Sequence, residues 1–124
     1  MKRLILILGT TLLSLAYAGD NSAGWTWKYK PLTATYSIYS GEPGERQAPT
    51  QSERKLAIAI KGDAAKEIFD SLYPDAKGIT CTDEKGERLR RKGEVWCSYR
   101  PSDGYKCFVG FNLRTGESLA GASC

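Results

Sequence analysis

From Leu32 to Ser40 the chain reads LTATYSIYS. Leu32, Ala34, Tyr36 and Ile38 fall on one side of an extended segment, and Thr33, Thr35, Ser37 and Tyr39 on the other. Alternation with β-branched and aromatic residues predicts a strand. GEPGERQAPTQ (41–51) carries two glycines and two prolines and reads as a loop. Arg54 to Lys61, RKLAIAIK, alternates again with Leu56, Ile58 and Ile60 facing a core, so the two strands suit a hairpin with a long connection. The period then changes. Ala65, Ile68, Phe69 and Leu72 recur at helical spacing after Gly62-Asp63, which predicts a helix with Asp63 as N-cap. Pro74 and Gly78 stop it near Tyr73. The stretch 74–93 is polar and reads mostly as loop. The last third predicts a meander of three strands, EVWCSYR, YKCFVGFNL and ESLAGASC, joined at PSDG and RTGE.

Strand arithmetic bears on the cysteines. A two-residue Thr115-Gly116 loop sets Arg114 opposite Glu117 and Cys107 opposite Cys124. A first turn at Ser102-Asp103-Gly104, with Gly104 left-handed, sets Cys97 opposite Val109 and Trp96 across from Gly110, with Gly121 beside it. The favoured pairs are therefore Cys81–Cys97 and Cys107–Cys124, among the three connectivities that four cysteines allow. The fold class expected is α+β: one helix on an antiparallel sheet of about five strands, the C-terminal three-stranded meander braced by two disulfides.

The chain's beginning adds a compartment. MKRLILILGTTLLSLAYAGD has a basic start, an apolar run over Leu4–Ala16 and an Ala16-Tyr17-Ala18 cleavage pattern, the order of a signal peptide over residues 1–18. The apolar run is shorter than the roughly 20 residues a membrane-spanning helix needs, and there is no second one, so the mature chain is expected not to be membrane-embedded. Residues 19–31, with the GWTWKYK aromatic cluster, read as a lead-in, and 32–124 as one domain. Four cysteines in an exported chain read as disulfides, which places the protein in a periplasm or outside the cell. The mature chain would hold 16 basic and 14 acidic residues, too mild a balance to imply nucleic acid.

Chemistry is bounded mainly by what is missing. The chain has no histidine, which excludes Ser-His-Asp and Cys-His catalysis and HExxH metal sites. No phosphate-cradling glycine loop, calcium loop or C-x-x-C pair is present, so no cofactor and no metal are expected. Glu67 and Asp70, three residues apart on the helix, are the candidate carboxylates for a glycan hydrolase. For binding, KGERLRRKGE (85–94) supplies Arg88, Arg90 and Arg91 on what reads as a loop, suited to carboxylates of a protein or cell-wall polymer. Trp96 and Phe108 are expected on the sheet face opposite the cysteines, where tryptophan over glycine is also a packing device. Trp25 and Trp27 alternate on the lead-in. These features favour a small exported, disulfide-stabilised, non-catalytic binding module, an inhibitor of or immunity factor against an envelope or secreted enzyme. Its partner would be an unidentified protein or a cell-wall glycan. The alternatives are a carboxylate-based glycan hydrolase and an envelope structural or adaptor protein.

Overall fold

The computed structural model describes residues 24–124. The expected signal segment and the first lead-in residues lie outside the described residues. Residues 24–32 are exposed and irregular. The elements that follow are β1 (Thr33–Glu42), β2 (Glu45–Gln47), β3 (Lys55–Lys61), α1 (Gly62–Ser71), β4 (Arg88–Lys92), β5 (Val95–Arg100), β6 (Gly104–Asn112) and β7 (Ser118–Leu119). They form one antiparallel sheet in the order β2-β1-β3-β6-β5-β4, with β7 also on β6. The class is α+β, but the sheet has seven strands rather than five. The two additions are short. β2 folds back on the end of β1 inside the expected 41–51 loop, and β4 is the arginine-rich segment that reads as loop from its charge alone.

The expected β1–β3 hairpin forms with Tyr36 opposite Ile58. Gly62 adopts φ 70°, a left-handed conformation open to glycine, and the chain passes from β3 into α1 with no intervening loop. Lys61 therefore occupies the N-cap, without a side-chain cap bond, and Asp63 sits in the first helical turn. Its charge still favours the helix N-terminus, but it is not the cap. The helix closes at Ser71, two residues short of Tyr73. It lays Ala65 and Phe69 on the sheet's first face, against Ile60, Cys97 and Cys107, with Ile58, Tyr99, Tyr105 and Val109 around them. Phe69 meets the edge of Tyr105 at 5.2 Å.

Both meander turns differ from expectation by one step, and the disulfides change with them. Pro101 and Ser102 are the central residues of the first turn, which the Asp103 N–H closes onto the Arg100 carbonyl at 3.0 Å. Proline's fixed φ suits the first central position of a turn, so the turn starts at Pro101 rather than Ser102. Arg100 then pairs with Gly104, Cys97 lies opposite Cys107, and Trp96 lies opposite Phe108, not Gly110. The second turn spans Leu113–Gly116, with the Asn112 side-chain oxygen accepting from the amides of Arg114 and Thr115. It sets Gly110 opposite Leu119, and pairing stops there. The bridges are thus Cys97–Cys107, across neighbouring strands with Cα atoms 4.0 Å apart, and Cys81–Cys124. The expected Cys81–Cys97 and Cys107–Cys124 pairs are not formed.

After β7 the tail turns over the sheet's second face instead of continuing the meander. It crosses β6 at Gly110 and Gly121, where backbones touch directly. A Cβ on Gly110 would stand 2.9 Å from the Leu119 carbonyl oxygen, and one on Gly121 would stand 2.7 Å from the Val109 carbonyl carbon. Arg46 donates to the Gly121 carbonyl at 3.0 Å while its guanidinium lies 4.8 Å over the Tyr39 ring. Cys124 then reaches Cys81, whose loop is itself held down. The Glu87 carboxylate accepts from the amides of Cys81 and Thr82 and from the Thr82 hydroxyl, and Ala76 N–H donates to the Leu89 carbonyl at 2.7 Å.

Candidate functional site

The second face is where sheet, loop and tail leave space. On it stand Leu89 and Arg91 from β4, Trp96 from β5 and Phe108 from β6, because strand alternation sends their neighbours Cys97 and Cys107 to the helix side. Trp96 and Phe108, directly opposite one another, stack with ring centroids 4.4 Å apart. Trp96 is 9 % exposed and Leu89 7 %. Between them, the 76–81 loop, the Glu42-Pro43 turn and the tail lies a cleft of about 440 Å³. Leu89 and Trp96 line it from the sheet. Ile79, Ala120, Ala122 and the Cys81–Cys124 bridge line the rest, with Arg91 and Glu42 also on its border. That volume falls within the range of about 300–1,000 Å³ typical of ligand pockets.

Two smaller depressions lie on the same face. One of about 150 Å³ shares Trp96 and extends to Glu87, Arg100 and Lys106. The other, of about 240 Å³, runs over the small side chains of Thr35, Ser37, Ala57 and Ala59 and ends on Phe108 and Arg46. Phe108 borders both. Glu87 belongs to the loop's scaffolding. Burial pushes its carboxyl up, but the bonds from the Thr82 hydroxyl and the Thr82 and Cys81 amides outweigh this and hold it below the ordinary carboxylate value.

The arginines divide by parity. Arg88 and Arg90 point to the helix side, where both grip Asp75. Arg88 donates through Nε at 2.7 Å and Nη2 at 3.0 Å, and Arg90 through Nε at 2.7 Å. Those hydrogen bonds, Arg88's foremost, hold the Asp75 carboxyl at about 2. Arg90 also donates to the Phe69 carbonyl at 2.9 Å and lies 4.3 Å over the Phe69 ring, a cation on an aromatic face and near a helix C-terminus. These two guanidiniums tie the loop to α1. Arg90 also borders the cleft, although its guanidinium is turned to Asp75, whereas Arg91 stands on the cleft side with 59 % of its side chain exposed. Trp25 and Trp27, 73 % and 78 % exposed, border none of the three clefts. Neither do Glu67 and Asp70, which sit on the outer surface of α1 in ion pairs with Lys30 and Lys66.

Of the sequence's candidates, Arg91, Trp96 and Phe108 thus share one face. Ile79, Leu89, Ala120 and Ala122 join them only through folding. The one signal for them was the third cysteine connectivity, since a Cys81–Cys124 bridge brings 76–81 to 120–124. Among the described residues no group of three acidic or cysteine side chains is placed to hold a metal ion, and no helix is long and apolar enough to cross a membrane. Comparison with protein-family models, with curated proteins and with solved structures finds no match. The two disulfides fit an extracellular or periplasmic protein.

Proposed function

We propose that this protein is an exported, non-catalytic binding module whose cleft beside Trp96 takes an apolar side chain of a partner protein, and that it acts as an inhibitor of, or immunity factor against, an envelope or secreted enzyme. The observation that carries this reading is the cleft itself. It is lined mainly by apolar side chains, bordered by Glu42 and by Arg90 and Arg91, and walled by a tail that the Cys81–Cys124 bridge holds in place. A cavity that needs no ordering on binding keeps the affinity that ordering would otherwise consume. Buried aromatic pockets ringed by polar groups are where partner anchors concentrate binding energy.

The experiment uses the exported protein with its disulfides formed. Wild type and Ile79→Asp are used to capture partners from envelope and secreted extracts, and any captured enzyme is purified and titrated with each form. Ile79 is 58 % exposed, so the substitution places a charge at the cleft without disturbing the core. The expected result is loss of that enzyme's activity in proportion to wild-type protein, with at least about tenfold weaker inhibition by Ile79→Asp, the loss of about 1.4 kcal/mol or more. An enzyme unaffected by the protein, or equally inhibited by both forms, overturns the reading.

A further inference from the structure

The two long edges of the sheet are finished differently. At the β4 edge four of five residues are basic, RLRRK, and the Ala76 amide caps the Leu89 carbonyl. Charge and cover of this kind keep an edge from pairing with other strands. The β1 edge has neither. Among the described residues no strand pairs with the outer side of β1 from Thr33 to Tyr39, since β2 takes up only Ser40–Glu42. From Leu32 to Gly41 the sequence holds no charge and no proline. Thr33 to Tyr36 are exposed and Ser37 is half-buried.

We infer that β1 is the pairing edge for a second copy of this chain, joined antiparallel about a two-fold axis near Tyr36. Three features favour a second copy over a foreign strand. A two-fold pairing centred there sets Thr35 opposite Ser37, a hydroxyl ladder of the kind that stabilises strand pairs, and Ala34 opposite Ile38. It also keeps each face with its like, so the row of Ile38, half-buried Leu56 and Phe111 across the first face meets the second copy at its Ala34, an apolar contact for Ile38. Ile38 and Phe111 are 37 % and 40 % exposed, and Tyr36 74 %, so the helix leaves this row uncovered. Finally, the ends of the strand carry opposite charge. Lys28 and Lys30, the latter also paired with Glu67, precede it, and Glu42, its last residue, and Glu45 stand at its other end. Antiparallel pairing brings each basic end to the other copy's acidic hairpin.

The test is light scattering of the exported, disulfide-bonded protein over a concentration series. Three samples are compared: wild type, T35K/S37K and T35E/S37E, together with an equimolar mixture of the two variants. Thermal melts check that both variants fold, as expected for an exposed Thr35 and a half-buried Ser37 on a free strand edge. Wild type is expected to reach twice the monomer mass. Each variant alone should stay at monomer mass, because the two-fold sets like charges opposite, and the mixture should regain the doubled mass. Amide exchange of wild type gives a second reading that needs no variant: protection over residues 33–39 should rise with concentration. A wild-type protein that stays monomeric throughout, variants that dimerise like wild type, or protection arising elsewhere overturns the inference, and the first outcome leaves the edge to a strand of another protein.

Discussion

Asp75→Asn isolates the contact that joins the polar loop to the helix. Asp75 receives three hydrogen bonds from two guanidiniums, at 2.7, 3.0 and 2.7 Å. These hold its carboxyl at about 2 against an ordinary 3.8. That gap corresponds to about 2.4 kcal/mol at full strength. The side chain is 39 % exposed, so water screens the pair and about 1 kcal/mol is the realistic figure. Because the folded value is depressed, this stability is fully present above the unfolded value near 3.8 and is lost as pH falls toward about 2. Asparagine keeps the shape and one acceptor but not the charge. Urea unfolding at pH 7 should therefore place the variant's midpoint about 0.5 M below wild type, taking a slope of about 2 kcal/mol per molar. The difference should shrink between pH 4 and 2. Subtracting variant from wild type removes the other acids, Glu53 and Asp103 among them, whose values are also lowered. A midpoint equal to wild type at pH 7, or a difference that does not change down to pH 2, refutes the argument.

The disulfides should differ in weight. Cys81–Cys124 spans 43 residues and Cys97–Cys107 spans 10. Loop entropy alone gives about 4 and about 3 kcal/mol respectively. Calorimetry of C81S/C124S should show the larger loss, and amide exchange should show residues 119–124 losing protection. C97A/C107A should leave the tail protected. Gly121→Ala drives a methyl into the Val109 backbone, which cannot yield as a side chain does, so the upper end of overpacking costs, about 3 kcal/mol, is expected. A melting temperature within about 2 °C of wild type would show that the tail does not lie against β6.

The local pattern of the chain determined β1, β3, α1, β5 and β6, and it determined which residues share a face. Period 2 and period 3.6 are written in nearest neighbours, and burial of one side enforces them. That is why Trp96 and Phe108 fall on the face opposite Cys97 and Cys107. Register was another matter. A slip of one residue would turn every apolar side chain outward, but a slip of two leaves the inside-outside pattern unchanged. The expected pairing of Cys97 with Val109 differs from the observed Cys97 with Cys107 by such a double step, and so does Cys107 with Cys124 against the observed Gly110 with Leu119. Apolar patterning cannot tell these registers apart. The turns decide, through Pro101 and through the Asn112 side chain that caps the second turn. The arginine-rich strand was hidden for a related reason. RLRRK has the composition of a solvated loop, and it becomes a strand because β5 offers it a ladder and Asp75, thirteen residues before Arg88, neutralises its inward face. The cleft depends on all of these long-range choices at once, since its walls come from five segments that meet only when the tail is bridged to the loop.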